Sequence, residues 1–271
     1  MSRRFVVPRG AAVAAIVLVG CPSGAGGAIV APAVPPAPPS PTVTAVTDDG
    51  EPALEGELVV FAAASLQDTF PAIGDLLEAE HPDLAVIFSF GSSGTLAAQL
   101  AEGAPADVFA AASATTMQGV GAGASTVFAR NSLVIAVPAG NPAGVTGPAD
   151  FADGALTIAL CDPSAPCGSA AQRALAAAGV TAAPDTFGQD ARATLRLVTA
   201  GEVDAALVYR TDALAAGDAV ATLPFPEAVT SDYPIAALAG APHPAAAQAF
   251  VELVLSPQGQ RILADAGFGS A

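Results

Sequence analysis

Apolar and polar positions along the chain switch repeatedly between a period of two and a period near 3.6. Leu58 to Ala64 is a continuous apolar run of strand type, and Leu66, Thr69, Phe70, Ile73 and Leu77 then recur at helical spacing. Ser65 and Asp68 match a capping-box pattern, while Pro71 should kink this helix or delay its start. Val86-Ile87-Phe88-Ser89-Phe90 predicts a second strand ended by Gly91. Thr95, Leu96, Gln99 and Leu100 then fit a short helix closed by Gly103. Further strands are expected over 131–137, 157–160, 203–209 and 233–238. Further helices are expected over 169–178, 191–200, 245–255 and 258–264. Asp190 is a candidate N-cap, Gly179 and Gly201 are candidate stops, and Pro257 opens the last helix. Strands alternating with helices imply an α/β fold with parallel sheets.

The first 56 residues break this pattern. Arg3, Arg4 and Arg9 precede the apolar run 11–19, which is short for a membrane span and reads as an export signal over 1–21. Its end, Leu18-Val19-Gly20-Cys21, resembles a bacterial lipoprotein cleavage site in which the Cys becomes the lipidated first residue. The other reading is an ordinary signal peptide with an incidental Cys. Residues 22–56 are rich in Pro and Ala and should form an extended tether.

Two units deliver Ser from a strand onto a helix start, one at Ser65 and one at Ser92-Ser93. A helix start carries free N–H groups and partial positive charge, so two such ends aimed at one point make a plausible anion site. Taken singly, each Ser also reads as a plain turn or cap residue, Ser92 in particular.

FAAASL, FGSSGTLAAQLAEGAPADVF, NSLVIAVP, VDAALVYRTDA and DYPIAAL, in that order, resemble the periplasmic molybdate-binding proteins of ABC transporters over 57–268. The resemblance implies a two-lobed periplasmic-binding-protein-like fold of type II with the ligand cleft between lobes. Lobe 1 would be 57–132 plus 233–271 and lobe 2 would be 133–232, with strands near 131–137 and 233–238 crossing between them. It implies an exported, extracytoplasmic protein that captures molybdate or tungstate and hands it to an ABC permease and its ATPase. Such a protein is a monomer, is not an enzyme, uses no cofactor and meets the membrane only through the lipid on Cys21. The oxyanion would be held by Ser65 and Ser93, by the backbone amides of Cys167 and Ala191, and by the Tyr209 hydroxyl. Molybdenum would be bound only inside the oxyanion, with no direct protein ligand. A binding protein for sulfate or for a ferric iron complex is the alternative. Cys167 and Ala191 depart from the usual family residues at positions used through the backbone. Gly94 stands where a third hydroxyl is usual, implying a slightly looser site. Tyr209 also reads as a packing tyrosine, and Arg192 as a residue of a solvated helix face.

Composition narrows the classes. There is no Lys, and six Arg stand against twenty-five acidic residues beyond the leader, a balance of about −19. Nucleic acid is excluded as a partner, since it needs a basic footprint. Overall charge does not steer an anion inward either, so local dipoles and neutral donors must hold it. The two histidines, His81 and His243, each adjoin Pro and read as surface residues, and no G-x-S-x-G elbow occurs. With Cys21 taken by the lipid, Cys161 and Cys167 form the remaining pair, and an exported chain should bond them. Closing so short a loop contributes roughly 2 kcal/mol on the chain-entropy model. Two Cys without a nearby His fall short of a four-ligand metal site.

Overall fold

The structure is a computed structural model and describes residues 54–122, 124–226 and 229–271. The expected signal, Cys21 and the tether up to residue 53 lie outside the described residues; the tether, expected through 56, ends earlier, because Leu54 packs against the core and Gly56 already pairs with Leu84 as the first residue of the first strand. Strand β1 (Gly56–Ala63) leads through a single 3-10 turn, Ala64–Leu66, to helix α1 (Phe70–Glu80). Then come β2 (Leu84–Gly91), α2 (Ser93–Ala101), β3 (Val108–Ala110), α3 (Ala114–Gly119) and the thirteen-residue β4 (Thr126–Pro138). The next set is β5 (Ile158–Cys161), α4 (Pro166–Ala177), β6 (Thr186–Gly188), α5 (Ala191–Thr199), β7 (Ala205–Tyr209) and α6 (Arg210–Ala215). The chain ends with β8 (Val220–Leu223), β9 (Thr230–Ala237), α7 (Pro244–Leu255) and α8 (Pro257–Asp265).

The strands run in the order β2-β1-β3-β9-β4-β7-β5-β6, with β8 also on β4. β1 is parallel to β2 and β3, and β5 is parallel to β6 and β7. β5 and all but the start of β1 are buried, which is why they read as unbroken apolar runs and not as alternations. β4 pairs with β9 over Thr126–Ser132 and with β7 and β8 over Leu133–Pro138, in all cases antiparallel. One long strand thus serves two lobes, and β9 returns beside it.

The first lobe packs α1 on the sheet through Phe70, Ile73, Gly74 and Leu77, one helical stripe. Phe70 sits 5.5 Å from Phe250 of α7 and 5.7 Å from Phe128 of β4, ring centre to ring centre. In the second lobe, α4 buries Ala170, Ala171, Ala174 and Leu175. Small side chains there let the helix lie close to the sheet.

Several boundaries depart from the periodicity. Helix α1 begins at Phe70, not near Ser65, with Pro71 in its first turn. The proline delays the helix, so the Ser65–Asp68 capping box does not form. Helix α4 begins at Pro166, three residues before the apolar periodicity suggests, because proline is well tolerated at a helix start. Strand β4 begins at Thr126, since Arg130, Asn131 and Ser132 interrupt its apolar run without interrupting its pairing.

Candidate functional site

Ser65, Ser93, Cys167, Ala191 and Tyr209 line one cavity between the lobes, together with Ser92, Asp190, Gly91, Ala112 and Ala165 among others. It offers about 20 Å³ to the centres of water-sized atoms. That exceeds the roughly 10–15 Å³ one water needs, and the four oxygen centres of a tetrahedral anion occupy less. The five candidate residues are all buried, at 1–4% exposure.

Each reaches the cavity through its own element. Ser65 follows β1 in the 3-10 turn, and Ser93 is the first residue of α2. Cys167 lies in the first turn of α4, and Ala191 is the first residue of α5. First-turn N–H groups have no partner inside their helix and carry its positive end. Tyr209 ends β7, and its hydroxyl donates to Ser231 Oγ of β9 at 3.3 Å. Burial pushes the Tyr209 hydroxyl up to about 12, with Ser231 and Tyr233 opposing through their hydrogen bonds. The group therefore remains a neutral donor at neutral pH.

Both serine hydroxyls have a buried partner. The Ala112 N–H donates to Ser93 Oγ at 3.0 Å, leaving the Ser93 proton to be donated elsewhere. Ser65 Oγ is 2.8 Å from the Tyr233 hydroxyl. The only lining carboxylate, Asp190, is occupied: it caps α5, accepting from the Ala193 N–H at 2.8 Å. None of the lining residues is basic.

The Cys161–Cys167 disulfide ties the end of β5 to the start of α4, Cα to Cα 5.8 Å. Beside it, a Cβ on Gly168 would fall 2.0 Å from the Asp162 carbonyl oxygen, so only glycine admits this approach of helix start to strand end.

One expectation is revised. Arg192 is not on a solvated face: its guanidinium pairs with Asp68 from the other lobe, and its Nε lies 2.8 Å from the fully buried Asp212. That second contact is close but not aligned as a hydrogen bond. Burial pushes the Asp212 carboxyl up to about 7, with Arg192 opposing and Asp190 adding to the rise. At Gly94, α2 lies close to the opposite lobe: a Cβ there would lie 3.2 Å from the Ser164 carbonyl oxygen.

Sequence reasoning missed Tyr233, Asn131, Thr211 and Ser231, a buried polar cluster on and beside the crossing strands. The signal was present in β4 as Asn131-Ser132 inside an otherwise apolar run. A wider cleft of about 420 Å³ adjoins the cavity at Ala112, Ala165 and Pro166; it holds Arg173, which donates to Ser169 Oγ at 2.9 Å. Neither histidine lines the cavity; the His243 N–H donates to the buried Asp107 at 2.7 Å, and His81 ends α1. Among the described residues no cluster of His, Cys, Asp and Glu has the arrangement of a metal site.

Residues 58–269 match the family of bacterial extracellular solute-binding proteins. The chain is 42% identical over 218 residues to the molybdate-binding protein ModA of Mycobacterium tuberculosis strain H37Rv, covering 78% of this chain and 84% of that protein. The fold is similar to that of the Azotobacter vinelandii periplasmic molybdate-binding protein, with a TM-score of 0.67 and 20% identity over 79% of this chain and 99% of that one. It is equally similar to the sulfate-binding protein SubI of Mycobacterium tuberculosis H37Rv, with a TM-score of 0.68 and 19% identity over 80% of this chain and 88% of that one.

Proposed function

We propose that this chain, which belongs to the bacterial extracellular solute-binding protein family, captures molybdate or tungstate in this cavity and delivers it to an ATPase-driven ABC permease. One observation carries the reading: Ser65 and Ser93 from one lobe meet two helix first turns and Tyr209 from the other, with no basic side chain in the lining. A buried dianion must replace its water hydrogen bonds with protein donors. Neutral hydroxyls and helix-start amides do this without carrying a counter-ion of their own.

In this reading Ser65 and Ser93 donate their hydroxyl protons, Cys167 and Ala191 donate their amides, and Tyr209 redirects to the anion the proton it otherwise gives Ser231. The lobes are 57–132 with 233–271, and 133–232. The protein binds and does not catalyse, acts as a monomer, and is exported. Lipid on Cys21, with the Pro- and Ala-rich tether that follows it, holds it at the outer face of the membrane. Membrane association unchanged by Cys21→Ala would remove the anchor from this account.

The test of the ligand is a thermal-shift and calorimetry panel of molybdate, tungstate, sulfate, phosphate and ferric citrate. Ligand at a hundred times its dissociation constant should stabilise the protein by about 2.7 kcal/mol. Molybdate or tungstate should lead; preference for sulfate or ferric citrate would overturn the assignment.

A further inference from the structure

We infer that Tyr233 on β9, together with Asn131 on β4, positions the Ser65 hydroxyl so that its proton faces the cavity. This rests on the oxyanion reading of that cavity. The Ser132 N–H donates to Asn131 Oδ1 at 3.0 Å, which fixes the carbonyl side of the Asn131 amide. The amide nitrogen must then be Nδ2, and it donates to Thr211 Oγ1 at 2.8 Å and to the Tyr233 hydroxyl oxygen at 3.4 Å. An amide nitrogen has no lone pair to offer, so the second of these bonds runs in one direction only.

Tyr233 therefore accepts from Asn131 and keeps one proton to give. Ser65 Oγ lies 2.8 Å away. When Tyr233 donates to it, Ser65 is filled as an acceptor on that side and its own proton is left for another partner. Both residues are buried, Tyr233 fully and Ser65 at 4% exposure. Burial also holds the Tyr233 hydroxyl well above its ordinary range, so its proton is permanently present. The relay Asn131 to Tyr233 to Ser65 thus aims a hydroxyl whose rotor would otherwise be free. It parallels Ser93, whose oxygen is occupied by the Ala112 N–H. Tyr233 does not line the cavity and acts only through Ser65.

A double-mutant cycle tests this. Molybdate affinity is measured by calorimetry for the full chain, Tyr233→Phe, Ser65→Ala and the double variant, each first checked for cooperative thermal unfolding. Tyr233→Phe removes one oxygen and keeps the ring. It should weaken molybdate binding about three- to tenfold, the scale of one ordinary hydrogen bond. In the Ser65→Ala background it should cost nothing further, because there is no hydroxyl left to aim. Asn131→Ala, a second route to the same relay, should show the same dependence on Ser65. Equal losses in both backgrounds, or no loss in either single variant, would overturn the inference while leaving the oxyanion reading intact. If the unsubstituted protein bound no oxyanion of the panel, both would fall together.

Discussion

Arg192 pairs with Asp68 across the cleft, and the same guanidinium lies 2.8 Å from the buried Asp212. One cation therefore links the turn after β1, the start of α5 and the base of α6. Its two partners differ in burial, which separates their consequences.

Asp68 is half exposed, and such pairs contribute about 0.2–1 kcal/mol. Asp68→Ala should weaken molybdate binding by no more than about fivefold with little change in melting temperature. Arg192→Ala removes the cation beside Asp212 and should lower the melting temperature clearly at pH 8. Adding Asp212→Asn to it should recover much of that loss, which thermal denaturation of the two variants would show.

The pH dependence follows from the Asp212 carboxyl, raised from 3.8 to about 7 by burial. The folded protein keeps this proton over a range where the unfolded chain has lost it. Its contribution to stability is fully present below pH of about 4 and disappears as pH rises through about 7. Denaturant unfolding at pH 5 and pH 8 should show a larger loss for the natural protein than for Asp212→Asn. Identical slopes would mean that Asp212 is charged throughout.

Ser65→Ala and Ser93→Ala each delete a donor to a charged ligand, a bond of about 1.5–3 kcal/mol, so each should weaken binding by roughly ten- to over a hundredfold. Ser93→Ala also strips the buried Ala112 N–H of its acceptor and should lower stability by about 1–3 kcal/mol. His81→Ala and His243→Ala should leave affinity unchanged. Full molybdate binding by the double serine variant, measured by calorimetry, would refute the site.

Replacing Cys161 and Cys167 together by Ser should cost about 2 kcal/mol, a fall of about 4–8 °C in melting temperature. Binding should survive, because position 167 serves the ligand through its amide. Two free thiols in the mature protein by mass spectrometry would contradict the bonded pair seen here.

Elements with a strong apolar period were legible in the sequence: β1, β2, β7, α5 and α7 fall within a few residues of where their patterns put them. Short elements with no period of their own were not. β3 and β6 are three residues each, and α3 and α6 six each, too brief for either repeat to register. At the site, residues that follow a strand or open a helix announced themselves, as Ser65, Ser93 and Asp190 did. Arg192 did not, because its two carboxylate partners are 124 and 20 positions away and only the fold brings them together. Tyr233 looked like one more apolar position of a crossing strand; its neighbours on β4 are what give its hydroxyl a task.

The contact of Gly94 with the Ser164 carbonyl has a kinetic side. The proposed donors are at 4% exposure or less. If the anion they hold leaves only when the lobes part, its dwell time is set by the opening of the pair of strands β4 and β9 that joins them and not by diffusion from an open pocket. Oxyanions of similar size would enter at similar rates and differ in how long they stay.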